Sequence, residues 1–294
     1  MNIRDLRRLH GASDVWCEAG DEEDAKITES ERKGDLLILR GESKHGRHVT
    51  VRSCDVSFMS DSDVFFCAEV CADEMAGIFK ESSSFLRVKE KKELTAIALC
   101  IGNRNITCDA QGPFCAEILD PTYHLKSEAK DLYSLMGGYS LLVLSPGTLG
   151  QSGLDPSFFL SAAARKTSPD LIIVIDALAA ESDEYIGKCV QISSAGITPG
   201  SGAKNARKRI SASSTGVFTI GIGIPTVISA ASLLCGVLER AGINEVDKEV
   251  ETEIEKSSSL YLSPKNSDAV TRAAAKILSM TVRRFCEQIS QNIK

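Results

Sequence analysis

Two aspartates follow buried strands in this sequence, at positions where carboxylates can carry out hydrolytic chemistry. Asp176 comes directly after Leu171–Ile175, an unbroken apolar run typical of a strand that is buried on both faces. Asp109 lies beyond a second apolar run, Leu94–Ile101. Open α/β sheets bind ligands beyond the carboxyl ends of their strands. Two carboxylates held close there can share one proton, so that one activates a water while the other protonates the leaving group.

Each aspartate also has a purely structural interpretation, in which its side chain caps the helix that follows. The small residues after Asp176 suit a tight turn or the start of a close-packed helix. A helix is predicted from Ala110 to about Leu119, directly after Asp109. From these residues alone, both interpretations stay open.

Serine and metal chemistry are less well supported by the residue pattern. The sequence has no Gly-x-Ser-x-Gly motif, and no histidine follows Ser201, the nearest candidate for a nucleophilic serine. The four histidines show no metal-ligand spacing; His124 is the one candidate for a place near the aspartates, and a solvated surface position is its better interpretation. The ten cysteines form no Cys-x-x-Cys pair and favour buried thiols in a reducing compartment. We therefore predict no bound metal and no cofactor.

Three glycine-rich loops follow short buried strands, at residues 145–153, 196–202 and 221–225. Glycine lets a ligand backbone approach closely, but the motifs of nucleotide-binding loops are missing from all three. The first two loops are candidates for gripping an extended peptide, and ordinary tight turns are the alternative. The candidate substrate-binding residues are Gly147, Gly150, Gly200, Ser201 and Gly202.

The composition is that of an acidic globular protein. The chain has 294 residues, a formal net charge of -6 and 43% hydrophobic residues, which argues against a general nucleic-acid surface. Its N-terminus lacks the apolar region of a secretory signal. Ile210–Leu238 contains no charged residue, yet its glycines and Pro225 favour a buried strand, a turn and a core helix from about Thr226 over a membrane span. We predict no membrane partner.

Strand and helix patterns alternate from residue 94 onward, which predicts an α/β fold with a mostly parallel sheet and helices on both faces. Before it, Asp61 to about Lys80 has the spacing of an amphipathic helix. Residues 1–34 are polar and include the acidic cluster Glu18–Asp24, so an irregular or loosely attached arm is expected there. The predicted organisation is an N-terminal arm at 1–34 and a single α/β domain at 35–294.

Several segments resemble the germination protease family of spore-forming bacteria, whose members digest small acid-soluble spore proteins. The matching segments are GNRNITCDAQGP (102–113), LSPGTLGQSGLD (144–155), PDLIIVIDALAAES (169–182), QISSAGITPGSGAKN (191–205) and IGIPTVISA (222–230). They follow the family's order, and with a weaker match at 262–270 the resemblance covers roughly residues 94 to 290.

The resemblance implies an aspartic-type endopeptidase with an α/β fold similar to that of hydrogenase-maturation peptidases (phosphorylase/hydrolase-like). The family's two catalytic aspartates fall on Asp109 and Asp176. It further implies a zymogen that loses a short propeptide, here expected within residues 1–34, and a homotetramer. We therefore expect a cytoplasmic enzyme of the spore core that starts the degradation of small acid-soluble spore proteins during germination.

The sequence departs from the family pattern near the expected site. Glu181 stands where the family usually has arginine, Thr198 where it has histidine, and Ser229 where it has aspartate. Glu181, if it points into the site, would raise the pKa of a neighbouring acid. These changes motivate one alternative, an inactive paralogue that binds spore proteins without cutting them. A second alternative, in the manner of the hydrogenase-maturation peptidases, is a metal-dependent peptidase that uses the same acids, with His124 as a further candidate ligand.

Overall fold

The computed structural model describes residues 1–10, 13–18, 26–200 and 208–293, except for the side chains of Arg8 and His10. An eight-stranded sheet forms the centre of the molecule, in the order β1-β2-β3-β8-β9-β6-β4-β5. Its strands are β1 (Lys26–Lys33), β2 (Leu36–Ser43), β3 (Gly46–Arg52), β4 (Thr95–Cys100), β5 (Ser140–Leu144), β6 (Leu171–Ile175), β8 (Cys189–Ser193) and β9 (Phe218–Gly223). A three-stranded sheet contains β7 (Leu178–Ala180), β10 (Pro225–Ser229) and β11 (Tyr261–Leu262), in the order β11-β10-β7.

The four strands β5, β4, β6 and β9 pair in parallel and form one half of the large sheet. Every residue of β4 and β6 is buried, because helices cover both faces of this half. The other half continues from β9 through antiparallel pairs, so that β2 and β8 run opposite to the remaining strands. The predicted α/β fold class, with a mostly parallel sheet between helices, is confirmed.

The helices divide between the two faces of the sheet. The helices are α1 (Ile3–His10), α2 (Asp61–Lys80), α3 (Ser83–Lys91), α4 (Gln111–Ile118), α5 (Leu125–Glu128), α6 (Lys130–Leu135), α7 (Leu149–Ser152), α8 (Pro156–Thr167), α9 (Ala212–Thr215), α10 (Ala230–Arg240), α11 (Lys248–Ser257) and α12 (Ser267–Asn292). α12 packs against α2 and α4 over the larger hydrophobic core, and α8 covers a smaller core on the opposite face. The predicted helix Asp61–Lys80 is α2, which begins with a capping box formed by Ser60 and Asp63.

The prediction of a helix from about Thr226 is wrong by four residues. The chain first forms β10, which pairs with β7 in parallel, and α10 begins only at Ala230. The β-branched run from Thr226 to Ile228 favours a strand, and the Oγ of Ser229 then caps α10 by accepting from the N–H of Ser232 at 3.0 Å. Within the described residues, no helix is both long and apolar enough to cross a membrane.

The N-terminal segment is more regular than predicted. α1 packs on α10 with Ile3 and Leu6 fully buried, and β1 pairs with β2 across its whole length. The expectation of an irregular arm is therefore wrong for residues 3–10 and 26–33. The division of the chain into an arm at 1–34 and a domain at 35–294 stays a prediction.

Candidate active site

Asp176 directly follows the buried strand β6, as predicted, and is 5% exposed. Its backbone N–H donates to the carbonyl of Ile222 at 3.3 Å, and its Oδ1 accepts from the N–H of Ala177 at 3.0 Å. The chain then crosses closely over β9, where a Cβ at Gly223 would lie 2.2 Å from the Asp176 carbonyl oxygen. Because β7 follows and no helix starts here, the helix-cap interpretation of Asp176 is wrong.

Asp109 is the last residue of a single 3-10 turn, Thr107–Asp109, that lies against the end of β4. Its Oδ2 accepts from the N–H of Asn103 at 2.8 Å. Gly102 has φ +132, and a Cβ there would lie 2.0 Å from the Asp109 carbonyl oxygen, so the close approach requires glycine. The N-cap position of α4 is Ala110, with no side-chain cap bond, so the cap interpretation of Asp109 is also wrong.

Two buried threonines from distant elements hold the turn that carries Asp109. The hydroxyl of Thr226 on β10 donates to the carbonyl of Cys108 at 2.6 Å. The hydroxyl of Thr271 on α12 donates to the carbonyl of Thr107 at 3.0 Å. Both side chains are almost fully buried, so these bonds form in a low-dielectric environment and restrict the position of the turn.

Gln111 connects the start of α4 to the junction between β9 and β10. The side chain is fully buried; its Nε2 donates to the carbonyl of Ile224 at 3.2 Å, and its Oε1 accepts from the N–H of the same residue at 3.0 Å. The next residue, Gly112, lies so close to β4 that a Cβ would be 2.0 Å from the carbonyl oxygen of Ile101. The Asp109 turn is therefore fixed relative to the strands on both sides of Asp176.

The structure places the two aspartates at one edge of the sheet. β4 and β6 are adjacent and parallel, with Cys100 paired to Ile175, and the N–H of Ile101 donates to the Ile175 carbonyl at 2.8 Å. Adjacent strands lie about 4.8 Å apart, so Asp176 and the turn carrying Asp109 follow neighbouring strand ends. Such an arrangement suits two acids that cooperate on one water molecule.

A cavity of about 430 Å³ lies on the Asp109 side of this edge, between the 102–104 turn and the predicted peptide-binding loop after β5. Gly147 lines it and has φ +72. The loop is tied to the site because Gln151 Nε2 donates to Asn103 Oδ1 at 3.0 Å. Gly150 lies in the short helix α7 and is not part of the cavity lining.

A second cavity, of about 320 Å³, lies beside the Asp176 segment on the face of β3, β8 and β9. The second predicted loop contributes Gly196 and Thr198 to its wall. Gly200 is exposed and does not line this cavity. Ser201 and Gly202 lie outside the described residues, so their predicted roles are not placed.

The N-terminal segment Ser13–Glu18 lies directly over β7, a contact that sequence reasoning missed. The N–H of Asp14 donates to the carbonyl of Ala179 at 2.9 Å, and the N–H of Ala179 donates back to Asp14 Oδ2 at 2.9 Å. The carboxylate of Glu18 accepts from the N–H groups of Glu181 and Ser182 at 2.8 and 2.6 Å. The segment therefore covers the chain immediately after Asp176.

Burial raises the pKa of Glu18 to about 7, although hydrogen bonds from Ser13, Glu181 and Ser182 favour its charged form. The nearby charge of Glu181 raises this pKa further, as the smallest of these contributions. Glu181 was expected to raise the pKa of a neighbouring acid. The acid whose pKa it raises is Glu18, in the N-terminal segment.

His124 lies far from the two aspartates along the strand direction. It is exposed and precedes α5, next to Tyr123, whose N–H donates to Leu141 near the amino end of β5. Both aspartates follow the carboxyl ends of their strands, so His124 lies away from them, and its exposure agrees with the predicted surface position. Among the described residues, no group of three His, Cys, Asp or Glu side chains is arranged to hold a metal ion.

Comparisons with known proteins identify the family of this chain. A protein-family model described as germination protease (peptidase A25) matches residues 7–267. The germination protease of Geobacillus sp. (strain WCH70) is 40% identical over 158 residues, which are 52% of this chain and 41% of that protein. The germination protease of Clostridium perfringens (strain SM101 / Type A) is 29% identical over 287 residues, covering 90% of this chain and 85% of that protein.

One solved structure is similar over part of the chain. It is a [NiFe] hydrogenase maturation protease, HycI, from Thermococcus kodakarensis KOD1, with 17% identity and a TM-score of 0.31, over 60% of this chain and 93% of that chain. This similarity is too low to support an argument about the site. The matched part of this chain spans less than half the length of the Geobacillus relative. The family model, in contrast, matches a continuous range that includes both Asp109 and Asp176. The chain belongs to the germination protease family.

Proposed function

We propose that this protein is an endopeptidase in which Asp109 and Asp176 form the catalytic pair. The observation that supports this proposal is that Asp176 directly follows β6, while the turn that carries Asp109 packs against Gly102, just beyond the end of the adjacent strand β4. Buried side chains from three other elements, Thr226, Thr271 and Gln111, hold the Asp109 turn there. A catalytic carboxylate must be held in one position by its surroundings, whereas an ordinary surface aspartate needs no such support.

The proposed reaction is hydrolysis of a peptide bond by an activated water. Two carboxylates in close proximity hold one proton between them, because two negative charges at short distance repel each other. The ionised acid takes a proton from water as that water attacks the scissile carbonyl carbon. The protonated acid then gives its proton to the departing amide nitrogen, and the C–N bond breaks. The two acids exchange roles in the course of the reaction.

The substrate would lie along the sheet edge as an extended peptide. The cavities beside Gly102 and Gly223 flank the two acids, and Gly147 and the 196–198 loop line their walls. Extended chains are commonly bound through backbone hydrogen bonds, with side chains directed into neighbouring pockets. The proposed substrates are the small acid-soluble spore proteins, which the family resemblance implies.

Zymogen processing and assembly into a tetramer are proposed on the same resemblance. The segment Ser13–Glu18 covers β7 next to Asp176, so a substrate must pass beside it. Removal of an N-terminal propeptide would change this contact. Mass spectrometry of the incubated protein would show whether a cut occurs within residues 1–34, and light scattering would give the number of subunits.

The direct test is cleavage of a small acid-soluble spore protein from pH 5 to 8, with and without a chelator. We expect chelator-resistant cleavage by the wild type and none by Asp176→Asn. Asp131→Asn, which changes an exposed aspartate on α6, is the matched control and should cleave normally. Loss of cleavage in chelator, with recovery on adding a divalent cation, would replace the proposal with a metal-dependent mechanism.

A binding assay separates the proposal from the inactive-paralogue alternative. Glu181 and Thr198 differ from the family pattern and lie close to the site, which motivates this control. Tight binding of the spore protein without cleavage at any pH, even after removal of the N-terminal residues, would contradict the proposed enzyme. It would support a binding role for the same surface.

A further inference from the structure

A groove of about 990 Å³ lies between α10 and α11, and none of its lining residues belongs to the two cavities beside the aspartates. Its apolar walls are Leu234, Val237 and Leu238 on α10 and Val250 and Ile254 on α11. All the lining residues belong to these two helices, so no other described segment covers the groove. Single exposed leucines are ordinary, whereas a contiguous open apolar groove marks a surface for a partner.

Another side of α10 already binds a helix and shows what kind of helix fits it. α1 packs there with Ile3 and Leu6 fully buried. Nη2 of Arg7 on α1 donates to Oε2 of Glu239 on α10 at 2.7 Å. α1 is thus a short basic amphipathic helix, whose apolar residues enter the seam while an arginine pairs with an acid. The groove offers apolar side chains and acids as well, on a side of α10 that is open.

The charges beside the groove favour a cationic partner. Residues 245–255 contain six acids and a single lysine. Glu249 and Glu253 line the groove one helical turn apart; Glu253 pairs with the exposed Lys256 at 2.6 Å, while Glu249 forms no ion pair with any residue that the structure describes. Like charges at this spacing destabilise a helix, and lysines or arginines of a partner would remove that repulsion.

We propose that the groove between α10 and α11 binds a basic amphipathic helix of a partner protein. Apolar residues of that helix, at i, i+3 or i+4 and i+7, enter between Leu234 and Val250, and its lysines or arginines pair with Glu249 and Glu253. α10 has 11 residues and is about 16 Å long, so about three turns of the partner lie along it. The groove is separate from the catalytic pair, and its partner does not depend on whether the chain cleaves peptides.

A labelled synthetic helix tests this proposal directly. The probe has about 14 residues, with leucines at i, i+3, i+4 and i+7 and lysines on both flanks. One control probe carries glutamates in place of the lysines, and another has the same residues in scrambled order. Fluorescence anisotropy is followed with the full-length Asp176→Asn variant, so that cleavage does not remove the probe. We expect the basic helix to bind at least about tenfold more tightly than either control, because one control places like charges opposite α11 and the other has no apolar face.

Two matched pairs of variants locate the bound probe. Leu234 and Ile243 are both 43% exposed, but only Leu234 lines the groove. Leu234→Ser should weaken binding by about fivefold or more, and Ile243→Ser should leave it unchanged. Glu249→Gln should weaken binding by about threefold at low salt, whereas Glu255→Gln, on the same helix but outside the lining, should retain it. All four side chains are exposed, so misfolding is a small risk, and circular dichroism checks the fold of each variant.

Three outcomes would overturn the proposed partner. The basic and acidic helices could bind equally well, or the two members of each pair of variants could lose the same affinity. In the third, light scattering would show that Leu234→Ser lowers the number of subunits while Ile243→Ser does not, which would assign the groove to a second copy of this chain. If the wild type cleaves no spore protein but the probe binds and depends on Leu234, the proposed catalysis fails and the docking groove stands.

Discussion

At the scale of single residues, the site depends on side chains that fix the backbone around Asp109. Thr226 and Thr271 satisfy two consecutive carbonyls of the turn, and Asn103 donates to the carboxylate itself. None of these residues has a pattern in the sequence that marks it, because each acts through a contact between distant segments. The aspartates could be predicted from the strands before them, whereas the residues that support Asp109 could not.

Replacing Thr226 by valine tests this support. The change keeps the side-chain shape but leaves the Cys108 carbonyl without its buried donor, so we expect about 1–3 kcal/mol lower stability and a roughly tenfold or greater loss of kcat. Thr219→Val on β9 is the control, because its equally buried hydroxyl donates to Val217, away from the turn. Equal kcat losses in both variants would contradict a positioning role for Thr226.

The carboxyl group of Glu18 should make the contact between the N-terminal segment and β7 depend on pH. Its pKa in the folded protein, about 7, lies above the ordinary value of 4.5, so the bound proton stabilises the contact fully below pH 4.5. This stabilisation is lost as the pH rises through about 7, and the full loss is on the order of 3 kcal/mol.

Hydrogen exchange at the amides of Glu181 and Ser182, corrected for intrinsic rates, measures this contact. We expect protection to fall between pH 5 and 8, and to become independent of pH in Glu18→Gln. Glu184→Gln, an exposed neighbour, should behave as the wild type. Protection that increases with pH in the wild type would show that the hydrogen bonds to the carboxylate outweigh its burial.

At the scale of secondary structure, the elements with strong periodicity could be predicted, and the short elements that depend on a distant partner could not. α2 and β6 match their predicted bounds, because a long amphipathic pattern or an unbroken apolar run determines them locally. β7 and β10 were missed because they are short and exist as a pair, and neither segment alone shows which partner it will meet. α1 was missed because its apolar residues are few, although they are fully buried against α10.

Two leucines on α1 test whether this helix belongs to the folded core. Leu6 is fully buried and Leu9 is 63% exposed. We expect Leu6→Ala to lower the free energy of unfolding by about 2–4 kcal/mol, through lost burial and a residual cavity, and Leu9→Ala to change it by less than about 0.5 kcal/mol. Urea denaturation gives both values. Identical midpoints would show that α1 is not stably attached.

At the scale of the whole molecule, the topology brings segments from the entire chain to one edge. The acids follow strands β4 and β6, the supporting threonines come from β10 and α12, and the covering segment comes from the N-terminus. The family model matches residues 7–267, which include both acids and the covering segment.

The most direct test of the catalytic pair is a double-mutant cycle on the rate of peptide cleavage. Asp109→Asn, Asp176→Asn and the double variant are compared with the wild type on one spore-protein substrate. Because the two acids act as a unit, each single change should lower kcat by about a thousandfold or more, and the double variant should be no slower than either. Independent, multiplicative losses, or a single variant that cleaves at the wild-type rate, would contradict the account.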